Sequence, residues 1–239
     1  MIHAFGDSFV VGDQDDFLHE TEEAGHDMQF NERLHYLMYN VSFAALIAKE
    51  LNEEFTNHAI RGSGNYPQID ILMQKILDGT ITKKDTVLFG ITTLVRDRQQ
   101  LLAFENVTSY GKGPCMIDRE LIPNKIEDIA LLDHFYILSI LENISAIYDV
   151  KIIKFYLFDN ARISKNTVDF IPSNFVGFSE SGTTLIDILN DTWDSGDKVG
   201  YHDCIDIPPG YEDMYTKYKH PSIKGHKKIA NWFLANRIL

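Results

Sequence analysis

Residues 2–12 have the sequence IHAFGDSFVVG, in which a short apolar run breaks into a Gly6-Asp7-Ser8 turn and then resumes. Such a pattern is typical of a buried strand that ends at the edge of a sheet. Gly6 allows the tight turn, and a helix that begins just beyond it would direct its amide dipoles at the Ser8 oxygen. Ser8 is therefore a candidate nucleophile, although the N-cap of an ordinary strand-to-helix turn is the commoner role for such a serine.

Strand-like and helix-like patterns alternate along the rest of the chain. Apolar β-rich runs predict strands at residues 54–60, 86–90 and 151–158. Apolar residues at helical spacing predict helices at residues 42–51, 69–77, 129–148 and about 222–239. The residues of the last helix expected to be buried on one side are Ile223, Ala230, Phe233, Leu234 and Ile238. This alternation predicts an α/β fold with a mostly parallel sheet and helices on both faces.

The 239 residues, 44% of them hydrophobic, can bury one full core. We expect a single domain over residues 1–239, with irregular insertions near residues 13–40, 97–125 and 160–218. The last two follow the carboxyl ends of predicted strands, where ligands bind in parallel sheets, and are expected to form lids or substrate walls. A metal site with His19 and His26 is conceivable in the first insertion, but a solvated acidic loop is the commoner case, and we expect no metal.

The formal net charge is −13, from 35 acidic and 22 basic side chains. This balance argues against nucleic acid or an anionic membrane surface as the main partner and favours a neutral or cationic substrate. Cys115 and Cys204 are too few for a disulfide framework, so a reducing compartment is the default. A single disulfide between them stays an alternative. Because neither a leader-like segment nor a membrane-spanning run stands out, we expect a cytoplasmic, virion-associated or assembly-associated protein.

A serine hydroxyl is a weak nucleophile and needs a base within hydrogen-bond reach, most often histidine. Among nine histidines, His220 has the most suggestive setting, in residues 219–226, KHPSIKGH. Pro221 restricts His220 to an extended conformation, and Pro221 and Ser222 are expected to begin the last helix. These features predict that the imidazole lies at the accessible edge of the fold and is not buried in its core, although a surface histidine beside a helix is the plainer alternative.

A hydrolase also needs donors for the negative charge that develops on the carbonyl oxygen. Gly62, after the second strand, can present an unhindered backbone N–H. Thr92 and Thr93, after the third strand, offer hydroxyls, with Asn65 and Arg96 as the next candidates. Together with the Gly-Asp-Ser turn and the histidine, these strand-end motifs occur in the order that would bring them to one edge of the sheet.

This ordered set resembles the SGNH/GDSL hydrolase family over nearly the whole chain. The matching positions are Gly6-Asp7-Ser8 with Gly12, Asn57 with Gly62, and His220-Pro221-Ser222 with Gly225. In the family, these blocks hold the nucleophile, an oxyanion-hole glycine and the catalytic histidine. The resemblance implies a flavodoxin-like three-layer α/β/α sandwich and an enzyme without a cofactor.

Two positions depart from the family pattern. The third block is normally Gly-x-Asn-Asp, whereas Thr92 stands here at the Asn position, similar to members with Gly-x-Thr and a following arginine such as Arg96. A threonine hydroxyl donates one bond and reaches less far than an amide, so a weaker or differently shaped oxyanion hole is expected. The family acid lies three residues before the histidine, where this chain has Lys217, expected to point into solvent. Either Asp213 substitutes, or the serine and histidine form a dyad with a backbone carbonyl orienting the ring.

The resemblance implies a serine esterase in which Ser8 attacks an ester carbonyl and His220 takes its proton, with Asp7 in a supporting role. The implied oxyanion donors are the Ser8 N–H, the Gly62 N–H and the Thr92 hydroxyl. The expected substrate is a small-molecule or glycan ester, with a small acyl group such as acetyl on a carbohydrate or other polar alcohol. Two alternatives remain: a catalytically silent SGNH-like binding or structural module, and an unrelated nucleotide binder, for which residues 62–64 are too short a phosphate loop.

Overall fold

The computed structural model of the protein describes residues 1–12, 30–92, 125–157, 184–191, 207, 209–217 and 219–239. Of the predicted site residues, Arg96 lies outside these ranges, as do Thr93, the two histidines of the first insertion and both cysteines. Most of residues 97–125 and 160–218 also lie outside them, so the lid role of these insertions and the single-domain organisation stay predictions.

The strands in the described ranges form one parallel sheet. They are β1 (Ile2–Phe5), β2 (Phe55–Asn57), β3 (Thr86–Ile91) and β4 (Lys151–Tyr156), in the order β2-β1-β3-β4. The register sets Ala4 beside Asn57 on one side of β1 and Phe5 beside Phe89 on the other. The chain thus winds to one side of β1 and then to the other, and ligands in such sheets bind beyond the carboxyl ends of the strands at this reversal.

The helices lie between and after the strands. They are α1 (Ser8–Val11), α2 (Phe30–Asn40), α3 (Phe43–Glu50), α4 (Asn65–Leu77), α5 (Lys125–Tyr148), α6 (Leu185–Asn190) and α7 (Ile223–Ala235), with a short 3₁₀ turn at Glu212–Met214. Within the described ranges, no helix is both long enough and apolar enough to cross a bilayer.

Alternate strand residues face opposite layers of helices. On one face the strand side chains Ala4, Leu88, Ile153 and Phe155 share a core with residues of α1, α3, α6 and α7. On the other face Phe5, Phe89, Ile152 and Tyr156 share a core with residues of α4 and α5. Because the central strands are apolar on both sides, their apolar runs in the sequence predicted them correctly as buried strands. The α/β class and the flavodoxin-like three-layer arrangement with a parallel sheet are confirmed.

Two helices were not predicted, and one burial prediction was wrong. Among the side chains of α2 that the structure describes, only that of Leu37 is fully buried, so the helical pattern is weak. All six residues of α6 are buried, so this helix has no polar face that would mark it in the sequence. Ile223 is 49% exposed, because the buried side of α7 centres on His226, Ile229 and Phe233. The helix ends at Ala235, before the predicted end of the chain's last helix.

Candidate active site

The Gly-Asp-Ser turn joins β1 directly to α1. Gly6 has a φ of 149°, and a Cβ there would lie 2.5 Å from Cγ2 of Val10, so the position accepts no side chain. Asp7 is the N-cap of α1, and Ser8 is its first residue. The turn therefore places the Ser8 side chain at the carboxyl edge of the central strand, as the sequence predicted.

His220 lies at this edge as well. Its Nε2 is 3.0 Å from Oγ of Ser8, and its ring meets the Phe9 ring edge-on at a centroid distance of 5.6 Å. Its backbone is fixed by Thr216, whose N–H donates to the His220 carbonyl over 2.7 Å and whose hydroxyl accepts from the His220 N–H at 3.2 Å. The preceding Lys219 adopts a left-handed φ of 65°. The structure thus brings Ser8 and His220 to hydrogen-bond distance.

Asp7 accepts hydrogen bonds from most of the backbone N–H groups at the start of α1. Its Oδ1 accepts from the Phe9 N–H at 2.9 Å, and its carbonyl accepts from the N–H groups of Val10 and Val11, each at 3.0 Å. Among the described residues, the Ser8 N–H has no hydrogen-bond partner. It is therefore the first-turn amide that remains able to donate to a bound group.

Thr92 and Asn65 also lie at the site, but their polar groups are bonded to protein atoms. The Thr92 hydroxyl donates to Oδ2 of Asp7 at 2.7 Å. Asn65 accepts the Thr92 N–H at 2.9 Å and donates to the Thr92 carbonyl at 3.2 Å. A hydroxyl has one proton and a carboxylate only accepts, so the Thr92 proton is directed at Asp7. The oxyanion role predicted for Thr92 would require this bond to break.

The second matched block lies beside the turn. The Ile60 N–H donates to the Gly6 carbonyl at 3.1 Å, which holds the segment up to Gly62 next to the Gly-Asp-Ser turn. Gly62 is exposed, has a φ of 69°, and would place a Cβ in open space. The side chain of Asn57 is buried, donates to the Val10 carbonyl at 3.1 Å and accepts the Ala59 N–H at 3.0 Å. Asn57 therefore ties α1 to the end of β2.

Asp213 does not meet the histidine ring. Its carboxylate forms an ion pair with Lys224, and the side chains are 57% and 60% exposed. Among the described contacts, Asp213 makes none with His220, and its backbone carbonyl accepts from the Ser222 hydroxyl at 2.6 Å. Lys217 is exposed, as expected. The structure thus gives Asp213 a surface partner in place of the predicted catalytic one, because the intervening loop turns its side chain toward α7.

Two buried polar residues near the site were not predicted. Gln68, on α4, accepts the Gly6 N–H at 3.0 Å and donates to the Ser63 hydroxyl at 3.2 Å. His226, on α7, accepts the Phe43 N–H through Nδ1. Each follows an apolar helical pattern in which a polar residue occupies a core position, and that is the signal that would have identified them. In the part of the chain that is described, no three metal-ligating side chains cluster.

Comparison with known proteins gave matches to solved structures only. No protein-family model and no curated protein matches the sequence. The chain is similar to a protein assigned to the G-D-S-L lipolytic family from Desulfitobacterium hafniense DCB-2, at 14% identity and a TM-score of 0.49, over 100% of this chain and 98% of that chain.

Two further structures are similar to the chain. One is a carbohydrate esterase described as having divergent catalytic and non-catalytic binding functions, at 12% identity and a TM-score of 0.44, over 99% of this chain and 67% of that chain. The other is LAE5, an alpha/beta hydrolase enzyme from the metagenome of Lake Arreo, Spain, at 17% identity and a TM-score of 0.43, over 98% and 93%. None of these similarities assigns a role to a residue of this chain.

Proposed function

We propose that the protein is a serine esterase of SGNH/GDSL type, with Ser8 as nucleophile and His220 as base. The observation that carries the proposal is the 3.0 Å distance between Oγ of Ser8 and Nε2 of His220. A nucleophile and a base within hydrogen-bond reach are the minimum for nucleophilic catalysis by serine. Their position beyond the carboxyl end of β1, next to the reversal of winding, is where a substrate would be bound in such a sheet.

The reaction follows from this pair. The Ser8 oxygen bonds to the ester carbonyl carbon while His220 Nε2 takes the hydroxyl proton. His220 then gives that proton to the leaving alcohol as the C–O bond breaks, and an acyl group stays on Ser8. Water attacks the acyl carbon, its proton passes to His220, and the carboxylic acid leaves as Ser8 regains its proton. For the first step the ring must be neutral, with its proton on Nδ1.

The oxyanion would be held by backbone amides. The Ser8 N–H suits this role because the N–H groups of the next three residues of α1 already donate to Asp7, whereas that of Ser8 does not. We propose the Gly62 N–H as a second donor, because its segment is bonded to Gly6 beside the nucleophile. The base would act without a carboxylate partner from Asp213, because that carboxylate forms an ion pair with Lys224.

The substrate we propose is a glycan or other polar alcohol that carries a small acyl group such as acetyl. The net charge of −13 favours a neutral or cationic ester over an anionic one. The rival is a catalytically silent module that binds a sugar without cleaving it. The Thr92 proton bonded to Asp7 favours that rival, because it leaves the site with fewer free donors.

The test is an ester panel with matched variants. We would measure hydrolysis of 4-nitrophenyl acetate, butyrate and octanoate and release of acetate from acetylated xylan, for the wild type, Ser8→Ala and His220→Ala. Each variant should lose roughly 10³-fold or more in kcat/KM, and a fluorophosphonate probe should label Ser8 in the wild type and not in Ser8→Ala. The control His35→Ala, at an exposed histidine of α2, should keep wild-type rates.

The outcomes separate the two functions. Hydrolysis that persists in folded Ser8→Ala would overturn the esterase proposal. A wild type that cleaves none of the esters but binds an acetylated sugar, with binding unchanged in Ser8→Ala, would favour the silent module.

A further inference from the structure

The Asp7 carboxylate joins two elements beyond the sheet edge. Its side chain is fully buried where β1 and β3 end as neighbours. Oδ1 accepts the N–H of Phe9 in α1, and Oδ2 accepts the hydroxyl of Thr92 just after β3. Hydrogen bonds to a carboxylate are shorter and stronger than neutral ones, and the distance of 2.7 Å to Thr92 fits this class. Asp7 is thus the link between β3 and the helix that carries Ser8.

The Thr92 end of this link is itself held in place. The buried Asn65 side chain, at the first residue of α4, bonds both the N–H and the carbonyl of Thr92, at 2.9 Å and 3.2 Å. A side-chain amide bound to both backbone groups of one residue fixes the plane and position of that residue. The backbone of Thr92, whose hydroxyl donates to Asp7, is therefore held in a fixed position.

We infer that Thr92 is a positioning residue, which acts on Ser8 through Asp7 and does not donate to the oxyanion. The inference rests on the proposed function. The proton of Thr92 is committed to Oδ2 of Asp7, so a second, simultaneous donation to a substrate oxygen is not available. The residue that replaces the family Asn thus supports the nucleophile's helix, and the oxyanion is left to backbone N–H groups.

This role has a consequence for the geometry of attack. When Thr92 loses its hydroxyl, the buried carboxylate loses one donor and must seek another by moving. A shift of Asp7 also moves the amides that it caps, and with them Ser8, away from the 3.0 Å approach to His220. Displacements of about 1 Å at a reacting group cost on the order of 10²-fold in rate.

The test is a double-mutant cycle of Thr92→Val and Asp7→Asn, measured by kcat, KM and Tm on the full chain. Thr92→Val should lower kcat by roughly 10- to 100-fold with little change in KM, and lower Tm by about 3–8 °C, because a buried carboxylate loses a donor. In the Asp7→Asn background, Thr92→Val should lower kcat by less than about threefold, since its path to Ser8 is already broken. Thr92→Ser, which keeps the hydroxyl, should retain kcat within about threefold of wild type.

A direct oxyanion donor would behave differently. The fold-loss in kcat caused by Thr92→Val would then be the same in the wild type and in Asp7→Asn, and Tm would not change. That result would overturn the inference while the esterase activity stands. Thr56→Val is the matched control, because Thr56 lies on β2 and its hydroxyl bonds the Met1 sulfur. It should leave kcat unchanged.

Failure of the proposed function is recognised separately. Hydrolysis that does not depend on Ser8, or no hydrolysis at all, would reject the esterase whatever Thr92 does. The cycle would then be read from Tm alone, where additive losses at the two positions would overturn the link between Thr92 and Asp7.

Discussion

The backbone N–H of Phe43, at the first residue of α3, donates to Nδ1 of His226 on α7 at 3.3 Å. An Nδ1 that accepts carries no proton, so the imidazole is neutral in the folded protein, with its proton on Nε2. The ring is fully buried and stacks on the Phe43 ring at a centroid distance of 6.2 Å. Burial, with a smaller contribution from the nearby His220, lowers the pKa of His226 to about 3. His226 thus joins the helix that follows His220 to the helix layer over β1.

The first prediction concerns acid stability. The pKa of His226 falls from 6.5 in the unfolded chain to about 3 in the fold, so the unfolded state binds the extra proton between these values. Stability should therefore be level above pH 6.5 and decrease as the pH falls below it, by on the order of 1 kcal/mol per pH unit. Burial also lowers the pKa of His3 and His58, the latter to about 4, which adds to the same trend.

Urea unfolding at pH 7.5, 6.0 and 5.0 would measure this dependence. His226→Gln removes one titrating group and should make the decline shallower, because the other two histidines remain. His35→Gln, at an exposed position, should decline like the wild type. An equally steep decline in His226→Gln and the wild type would show that this ring is not the source.

The second prediction concerns the contact of α7 with the loop before His220. A Cβ on Gly225 would lie 2.3 Å from the backbone carbonyl of Met214, which cannot yield as a side chain can. Gly225→Ala should therefore displace the 3₁₀ turn, cost about 1–3 kcal/mol in unfolding free energy and reduce kcat. Asn231→Ala, at an exposed position of α7, is the control and should change neither. If Gly225→Ala were as stable in urea as the wild type, the close contact between Gly225 and the Met214 carbonyl would be contradicted.

The third prediction decides between triad and dyad. Asp213 and Lys224 form an exposed ion pair, and such pairs contribute little. Asp213→Asn and Lys224→Met should each change kcat/KM by less than about tenfold, while His220→Ala costs several orders of magnitude. The comparison is steady-state hydrolysis of the best ester of the panel. If Asp213→Asn alone approaches the loss of His220→Ala in a folded protein, Asp213 is the orienting acid after all.

The fourth prediction concerns the buried ion pair between Lys154 of β4 and Glu142 of α5. The side chain of Lys154 is 1% exposed and that of Glu142 is 32% exposed, so their environments are unequal. Glu142→Leu leaves a buried ammonium group without its acceptor, whereas Lys154→Met leaves a carboxylate that water reaches. We expect Glu142→Leu to cost on the order of 2 kcal/mol more than Lys154→Met in urea unfolding, and the double variant to recover most of the loss. Equal costs would point to symmetric burial of the two charges.

The sequence predicted the strands of the sheet better than the helices around it. β1, β3 and β4 are buried on both faces, so their apolar runs needed no knowledge of their neighbours. In contrast, α6 is buried on every side, and its assignment depends on what packs around it. Local patterns therefore sufficed for the middle layer of the sandwich and failed where tertiary contacts decide.

The candidate site divides in the same way. Ser8 and His220, which lie 3.0 Å apart, could be proposed from the sequence because a turn after a strand and a His-Pro helix start have local signatures. The direction of the Thr92 proton depends on the register that places Phe5 beside Phe89, and no local pattern shows that register. Asp213 was proposed by its distance along the chain, but the side chain that it meets, Lys224, is set by how the loop folds against α7.

The sequence separation of 212 between Ser8 and His220 has a consequence for synthesis of the chain. A ribosome makes the proposed nucleophile with β1 and α1, long before it makes the proposed base. Domains generally fold as units, so the complete fold, with α7 packed beside the sheet, forms only after the C-terminal segment has left the ribosome. A nascent chain that lacks this segment therefore carries Ser8 without its proposed base, and the proposed hydrolysis can begin only when the segment that carries His220 has emerged and docked.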